Sequence, residues 1–221
     1  MTTMANFIDE VQLYGPGFLL AAWTVFWLTI LTIIVSWGCG LLAALSHRSP
    51  WRAVRAASAF YVWFVRGTPT LIQVFIIYFG LPQFGVKLSP FTAGVLALGV
   101  NSGAYVAEII RGGLSAIPRG QTESALALGF SPAETMRSIV LPQVFRIILP
   151  SVTNEAISTL KNTSLLSTIT VVELTLYAQT LIAATFRPFE FYIAVAVIYL
   201  LLTTVLTQLA ALLERRYALS S

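Results

Sequence analysis

Four ionisable residues stand in or beside apolar stretches of this chain: Glu108, Glu155, Lys161 and Glu173. A charge within a membrane-length apolar run is costly, so such residues face a cavity or a partner. Two readings stay open: a Glu–Lys pair with interfacial carboxylates that hold helices together, or charges that meet a ligand. Asn101, Asn162, Thr163 and Ser164 could hydrogen-bond a zwitterionic ligand or bridge helices. Glu155 and Lys161 are six residues apart, which does not stack them on one face of a straight helix. A break in the helix, or a partner on another span, is therefore expected. Covalent chemistry has little support. The lone His47 sits among arginines and the lone Cys39 within an apolar run, so no nucleophile–base pair or metal-ligand set is expected.

A second group of residues stands apart because it is polar in an apolar chain. Between Glu123 and Pro142 the sequence is ESALALGFSPAETMRSIVLP. Glu123, Ser124 and Ala125 come first, then Gly129, then Ile139, Leu141 and Pro142. The plain reading is a surface helix ended by a glycine, with a proline opening the next segment.

The elements that must position these residues follow from composition. Of 221 residues, 57% are hydrophobic and 10% charged, and the mean hydropathy is +0.82. Soluble domains carry about 25% charged residues. A bilayer crossing takes about 20 apolar residues. No Asp, Glu, Lys or Arg lies between Glu10 and Arg48, Arg66 and Lys87, Lys87 and Glu108, or Glu190 and Glu214. The expectation is an all-α polytopic membrane protein, because a helix satisfies its own backbone in lipid. Five spans are expected near Phe18–Leu45, Thr68–Val86, Ser89–Ala107, Ile147–Thr170 and Phe191–Leu213. The fourth is the least regular, and a short helix between Glu173 and Arg187 is expected to follow it.

Charge orients these spans. With the N-terminus outside, the inner loops hold ten arginines: Arg48, Arg52, Arg55, Arg66, Arg111, Arg119, Arg137, Arg146, Arg215 and Arg216. Only Lys87 and Arg187 face outward, a strong positive-inside bias. Spread over separate loops, these charges argue against nucleic-acid binding. The expected organisation is a short external segment over 1–17, one membrane domain over 18–215 with a cytoplasmic loop at 108–146, and a cytoplasmic tail at 216–221. No cleaved leader is expected, since Asp9 and Glu10 and no basic cluster precede the first apolar run. The loop His47–Ala57 is expected at the cytoplasmic interface, with Trp51 in the headgroup layer. Thr68 and Pro69 are expected to open the second span as cap and first-turn proline.

The Glu123–Pro142 pattern resembles the cytoplasmic coupling motif of ABC importer permeases, EAA, then a glycine, then I-x-L-P, with Ser124 in place of the first alanine. RGTPTLIQVF at Arg66–Phe75, AYVAEIIRGGLSAIPRGQ at Ala104–Gln121 and LKNTSLLSTI at Leu160–Ile169 are similar to the polar amino-acid uptake family of those permeases. The resemblance implies five helices with the N-terminus outside, in a bacterial inner membrane. It implies a second permease, the same or related, a cytoplasmic ABC ATPase dimer, an external solute-binding protein and an amino-acid substrate. Glu123, Ser124, Ala125, Gly129, Ile139, Leu141 and Pro142 would couple to the ATPase, with Ala125 and Gly129 small enough for close approach. Glu123 would pair with a base on the ATPase or cap its own helix, and Pro142 would fix the turn into the next span. Asn101, Glu108, Glu155, Lys161, Asn162, Thr163 and Ser164 are the candidates for the substrate path or gating. The chain has no G-x-x-x-x-G-K-[ST] loop, so no cofactor is expected on it, and ATP and Mg would be bound by the partner ATPase. The rival expectation is an ion- or proton-coupled secondary amino-acid transporter using the same carboxylates.

Overall fold

The computed structural model describes the backbone of residues 2–217 and the side chains of residues 12–215. The tail expected at 216–221 lies largely outside the described residues. The helices are α1 (Thr2–His47), α2 (Arg52–Gly67), α3 (Thr70–Phe75), α4 (Pro90–Ser115), α5 (Arg119–Ala127), α6 (Pro132–Thr135), α7 (Leu141–Asn162), α8 (Leu174–Thr185) and α9 (Pro188–Tyr217). A π turn (Ile76–Gly80) and a 3₁₀ turn (Leu81–Phe84) prolong α3. A second π turn (Met136–Val140) joins α6 to α7, and a 3₁₀ segment (Thr163–Ile169) prolongs α7.

Among the described residues, three helices are long and apolar enough to cross a bilayer unaided: Gln12–His47, Pro90–Ser115 and Pro188–Arg215. Two further crossings arise only if bent pairs count as single spans. Arg52–Gly67 meets Thr70–Phe84 at 114°, and Pro132–Ile169 meets Leu174–Thr185 at 47°. Three of the five expected spans are single helices, and the expected Thr68–Val86 and Ile147–Thr170 each fall largely within one of the two bent pairs. The short helix expected between Glu173 and Arg187 is α8.

α2 differs from expectation: its first residues, Arg52–Ala57, are helical where an interfacial loop is expected. Its sequence divides around the helix at about 100° per residue. Ser58 and Val65 are buried, and Ser58 Oγ donates to Ala43 O of α1 at 2.8 Å. Arg52, Arg55 and Arg66 share a second edge. Ala53, Ala56, Phe60, Trp63 and Phe64 share the third, where Phe60 and Trp63 are 62% and 70% exposed. A helix with one basic and one aromatic edge suits a membrane–water interface. The start of α3 also differs from expectation. Pro69 stands just before the helix in extended conformation and no side chain caps it. Thr68 Oγ1 instead donates back to Phe64 O at 2.9 Å.

α1 and α4 form the central pair. Their contact runs through small residues, as close packing in lipid requires. A Cβ built on Gly103 would stand 2.6 Å from Cys39 Cβ and 2.8 Å from the Tyr61 hydroxyl. Gly103→Val is therefore expected to cost about 1–3 kcal/mol through overpacking. The measurement is the thermal midpoint of the purified protein, and an unchanged midpoint would show that α1 and α4 separate freely. Around this pair sit three apolar clusters. Leu28, Val74, Leu98 and Leu166 form one, Phe18, Val25, Leu174 and Phe191 a second, and Val106, Ile110, Val144 and Ile148 a third.

Candidate functional site

The coupling segment folds as two short helices with a tight turn between them. α5 ends in a Schellman turn: Phe130 N donates to Ala125 O at 3.1 Å and Gly129 N to Leu126 O at 3.0 Å. Gly129 takes φ +88° at its apex, a region that costs an L-residue about 1–2 kcal/mol. A Cβ there would meet nothing within 4 Å. Backbone conformation by itself favours glycine here, beside the closeness to a partner that the resemblance implies. Ser131 then caps α6 in a reciprocal box, accepting from Glu134 N while the Glu134 carboxylate accepts from Ser131 N at 2.9 Å.

Several expected roles change here. Ala125 is 2% exposed, buried within the chain itself. Glu123 is the fifth residue of α5 and does not cap it. Glu123 and Ser124 are exposed, as are Leu126, Leu128 and Phe130. These three apolar residues were missed, although Leu128 at 79% exposure is a plain signal. Pro142 makes no turn. The chain is already helical from Pro132, and Pro142 follows the π turn inside a continuous helix. A π turn displaces the hydrogen-bond ladder by one residue, which suits a proline lacking its N–H. Ile139 is half-buried in that turn, and Leu141 is 48% exposed. Behind the segment lies a cavity of about 440 Å³, with Arg48, Arg119, Glu123 and Thr135 among its walls.

A second cavity, of about 290 Å³, lies between α4 and α7. Thr70, Asn101, Tyr105, Glu155, Ser158, Lys161 and Asn162 line it. Glu155 and Lys161 thus meet at one cavity without a break between them or a partner span, contrary to expectation. Residues 155, 158 and 162 share one face of α7, and Lys161 stands at its edge with a side chain long enough to reach. Among the described residues no ion pair joins Glu155 to Lys161. On the α4 side, Ser102 Oγ accepts from Ser36 at 2.9 Å and Thr159 at 3.2 Å. An anion, a cation and two amides around one polar cavity can hold a zwitterion by charge-assisted hydrogen bonds.

The remaining candidates lie elsewhere. Glu108 binds Arg66 at 3.0 Å and Arg111 at 2.8 Å, an ion-pair cluster outside the cavity. Thr163 is fully buried and donates to Leu160 O at 2.7 Å. Ser164 donates to Lys161 O at 2.8 Å. Both hold the end of α7. Glu173 is 0% exposed and caps α8, accepting from Thr175 N at 2.8 Å and Leu176 N at 3.0 Å. The Tyr199 hydroxyl donates to it at 2.9 Å. Thr70, Tyr105 and Ser158 were not anticipated, though Ser158 stands one helical turn from Glu155.

Known proteins are similar to this chain in sequence and fold. A family model described as binding-protein-dependent transport system inner membrane component matches residues 36–219. The glutamine transport system permease protein GlnP of Escherichia coli (strain K12) is 42% identical over 193 residues, covering 86% of this chain and 88% of its own. The L-cystine transport system permease protein TcyB of Bacillus subtilis (strain 168) is 39% identical, covering 86% of this chain and 81% of its own. A crystal structure of an amino acid ABC transporter with histidines superposes at TM-score 0.89 and 40% identity, over 95% of this chain and 98% of that one. A chain of the MetNI methionine ABC transporter, at 16% identity and TM-score 0.78, over 93% of this chain and 98% of that one, shares the fold. The chain belongs to the family of binding-protein-dependent transport system inner membrane components, and is a transport subunit rather than an enzyme.

Proposed function

We propose that this chain is the permease of an ATP-driven importer of polar amino acids, and that the cavity between α4 and α7 holds the substrate on its way across. One observation carries the second half: Glu155 and Lys161 meet at one cavity with no ion pair between them. Glu155 and the amide oxygens receive the ammonium group, and Lys161 receives the carboxylate. Every α-amino acid carries both groups, so the cavity reads the backbone of the substrate and leaves side-chain selection to an external binding protein.

Energy comes from a partner ATPase dimer, which binds ATP and Mg. The exposed Glu123, Ser124, Leu126, Leu128 and Phe130 form the surface presented to it. A second permease, the same or related, completes the path. The positive-inside bias supports an external N-terminus, a cytoplasmic C-terminus and a cytoplasmic Glu123–Pro142. Closure of the ATPases then moves the coupling segments as rigid bodies and alternates access. The relatives being permeases of transport systems, the secondary-transporter reading is not favoured.

Affinity purification of the tagged chain from its native membranes in mild detergent tests this reading. A stoichiometric ATPase is expected among the co-purifying proteins. A chain that reproducibly purifies alone, with uptake abolished by a protonophore and indifferent to ATP, would restore the secondary transporter. The coupling turn supplies a sharper test. Gly129→Leu is expected to reduce uptake severalfold with insertion intact, and Gly129→Asn to retain most of it, because asparagine tolerates positive φ. Equal loss in both would mean that closeness to the ATPase, not backbone conformation, selects glycine.

A further inference from the structure

The end of α2 leaves carbonyl groups without helical partners, as every helix end does. Three acceptors converge there on one side chain from α3. Gln73 Nε2 lies 2.8 Å from Val65 O, 3.2 Å from Thr68 O and 2.7 Å from Thr68 Oγ1. Thr68 Oγ1 has already given its proton to Phe64 O at 2.9 Å, so all three neighbours are acceptors. An amide oxygen in that position would face only lone pairs. The amide of Gln73 is therefore locked with its nitrogen toward the α2–α3 break.

That lock fixes the next group. With its nitrogen committed, Gln73 offers only Oε1 toward α4, and only a donor can answer it. Asn101 does so, with Nδ2 at 3.0 Å. Gln73 and Asn101 are 6% and 4% exposed, so water does not compete for either amide. Asn101 lines the cavity between α4 and α7, and with Nδ2 committed its other branch, Oδ1, is the one free to accept there. The backbone break and the wall of the cavity are thus joined through two amides, neither of which can flip alone.

We infer that Gln73 is a positioning residue for transport: it fixes Asn101 so that the cavity presents a hydrogen-bond acceptor beside Glu155, and so recognises the ammonium end of the substrate. This rests on the cavity being the substrate site. It adds that a residue outside the cavity, at the break of a span, sets the polarity of one wall.

The test uses the complete importer, permease with its ATPase and binding protein, in proteoliposomes with a ¹⁴C-labelled mixture of L-amino acids as probe. The quantity read is amino acid imported per ATP hydrolysed. Gln73→Met fills the same space without polar atoms, and Asn101→Leu removes the group that Gln73 acts on. Each single variant is expected to lower import per ATP on the order of tenfold with ATP turnover retained, the loss of one oriented hydrogen bond. The double variant is expected to match Asn101→Leu alone, because residues acting through one contact are not additive. Independent, multiplying losses would overturn the positioning role. So would a fall in assembly and ATP turnover together, which would make Gln73 a purely structural tie. Import by the wild-type importer, unaffected by Gln73→Met, would sink this inference alone. Absence of import by the wild-type importer would sink the reading of the chain itself.

Discussion

Glu155→Gln is expected to cut uptake by roughly 10- to 100-fold while leaving the amount of assembled permease unchanged. Glutamine keeps the shape of the side chain, and the buried chain Ser36–Ser102–Thr159 is hydrogen-bonded without it. What it loses is the negative charge facing the cavity. A hydrogen bond to a charged group is worth about 1.5–3 kcal/mol, and each 1.4 kcal/mol is tenfold. Lys161→Met is expected to act with similar size from the other end of the substrate. Uptake by the reconstituted importer, normalised to the ATPase that co-purifies, measures both. If the two variants lose uptake only in proportion to lost protein, these charges hold helices together and the cavity is not the substrate site.

The second large effect is on stability and concerns Glu173. A carboxylate at 0% exposure would be prohibitively costly in an apolar interior without partners. Here it has three, two backbone N–H groups of α8 and the Tyr199 hydroxyl. It acts as the N-cap of a helix that begins inside the protein, where no water can take its place. Glu173→Ala leaves the two backbone N–H groups unpaired and leaves the Tyr199 hydroxyl only Thr163 Oγ1, at 3.3 Å. At about 1–3 kcal/mol for each unsatisfied buried group, part of it recovered by local collapse, a loss of about 3 kcal/mol or more is expected. Tyr199→Phe removes one donor and is expected to cost about 1 kcal/mol. Thermal unfolding of the detergent-solubilised protein measures both. A Glu173→Ala protein that melts with the wild type would mean that the break before α8 holds without its cap.

The all-helical membrane architecture was legible because it rests on composition over many residues. Runs without charge reveal crossings whatever packs against them. The exceptions are instructive. α2 was hidden because Arg52 and Arg55 make its start read as loop, although their spacing puts them on one edge with Phe60 and Trp63 on another. Lys161 was held apart from Glu155 by a strict helical count, which ignores how far a lysine side chain reaches around a helix. Gln73 was passed over entirely. One glutamine in an apolar run carries no periodic signal, and its partners lie five and 28 residues away. At Ala125 and Gly129 the sequence shows that a residue is small without showing which surface it meets: Ala125 is buried within the chain and Gly129 takes positive φ.

Ser131 to Ile169 forms one uninterrupted rod, with the coupling end capped at Ser131 and Glu155 far along it. At 1.5 Å per residue, about 36 Å separates the two. A tilt of about 10° pivoting at the capped end would sweep the Glu155 backbone through about 6 Å, more than the length of a carboxylate's hydrogen bond. The same rod would therefore amplify displacement: a small rotation at the coupling end would carry the anionic wall of the cavity through several ångströms.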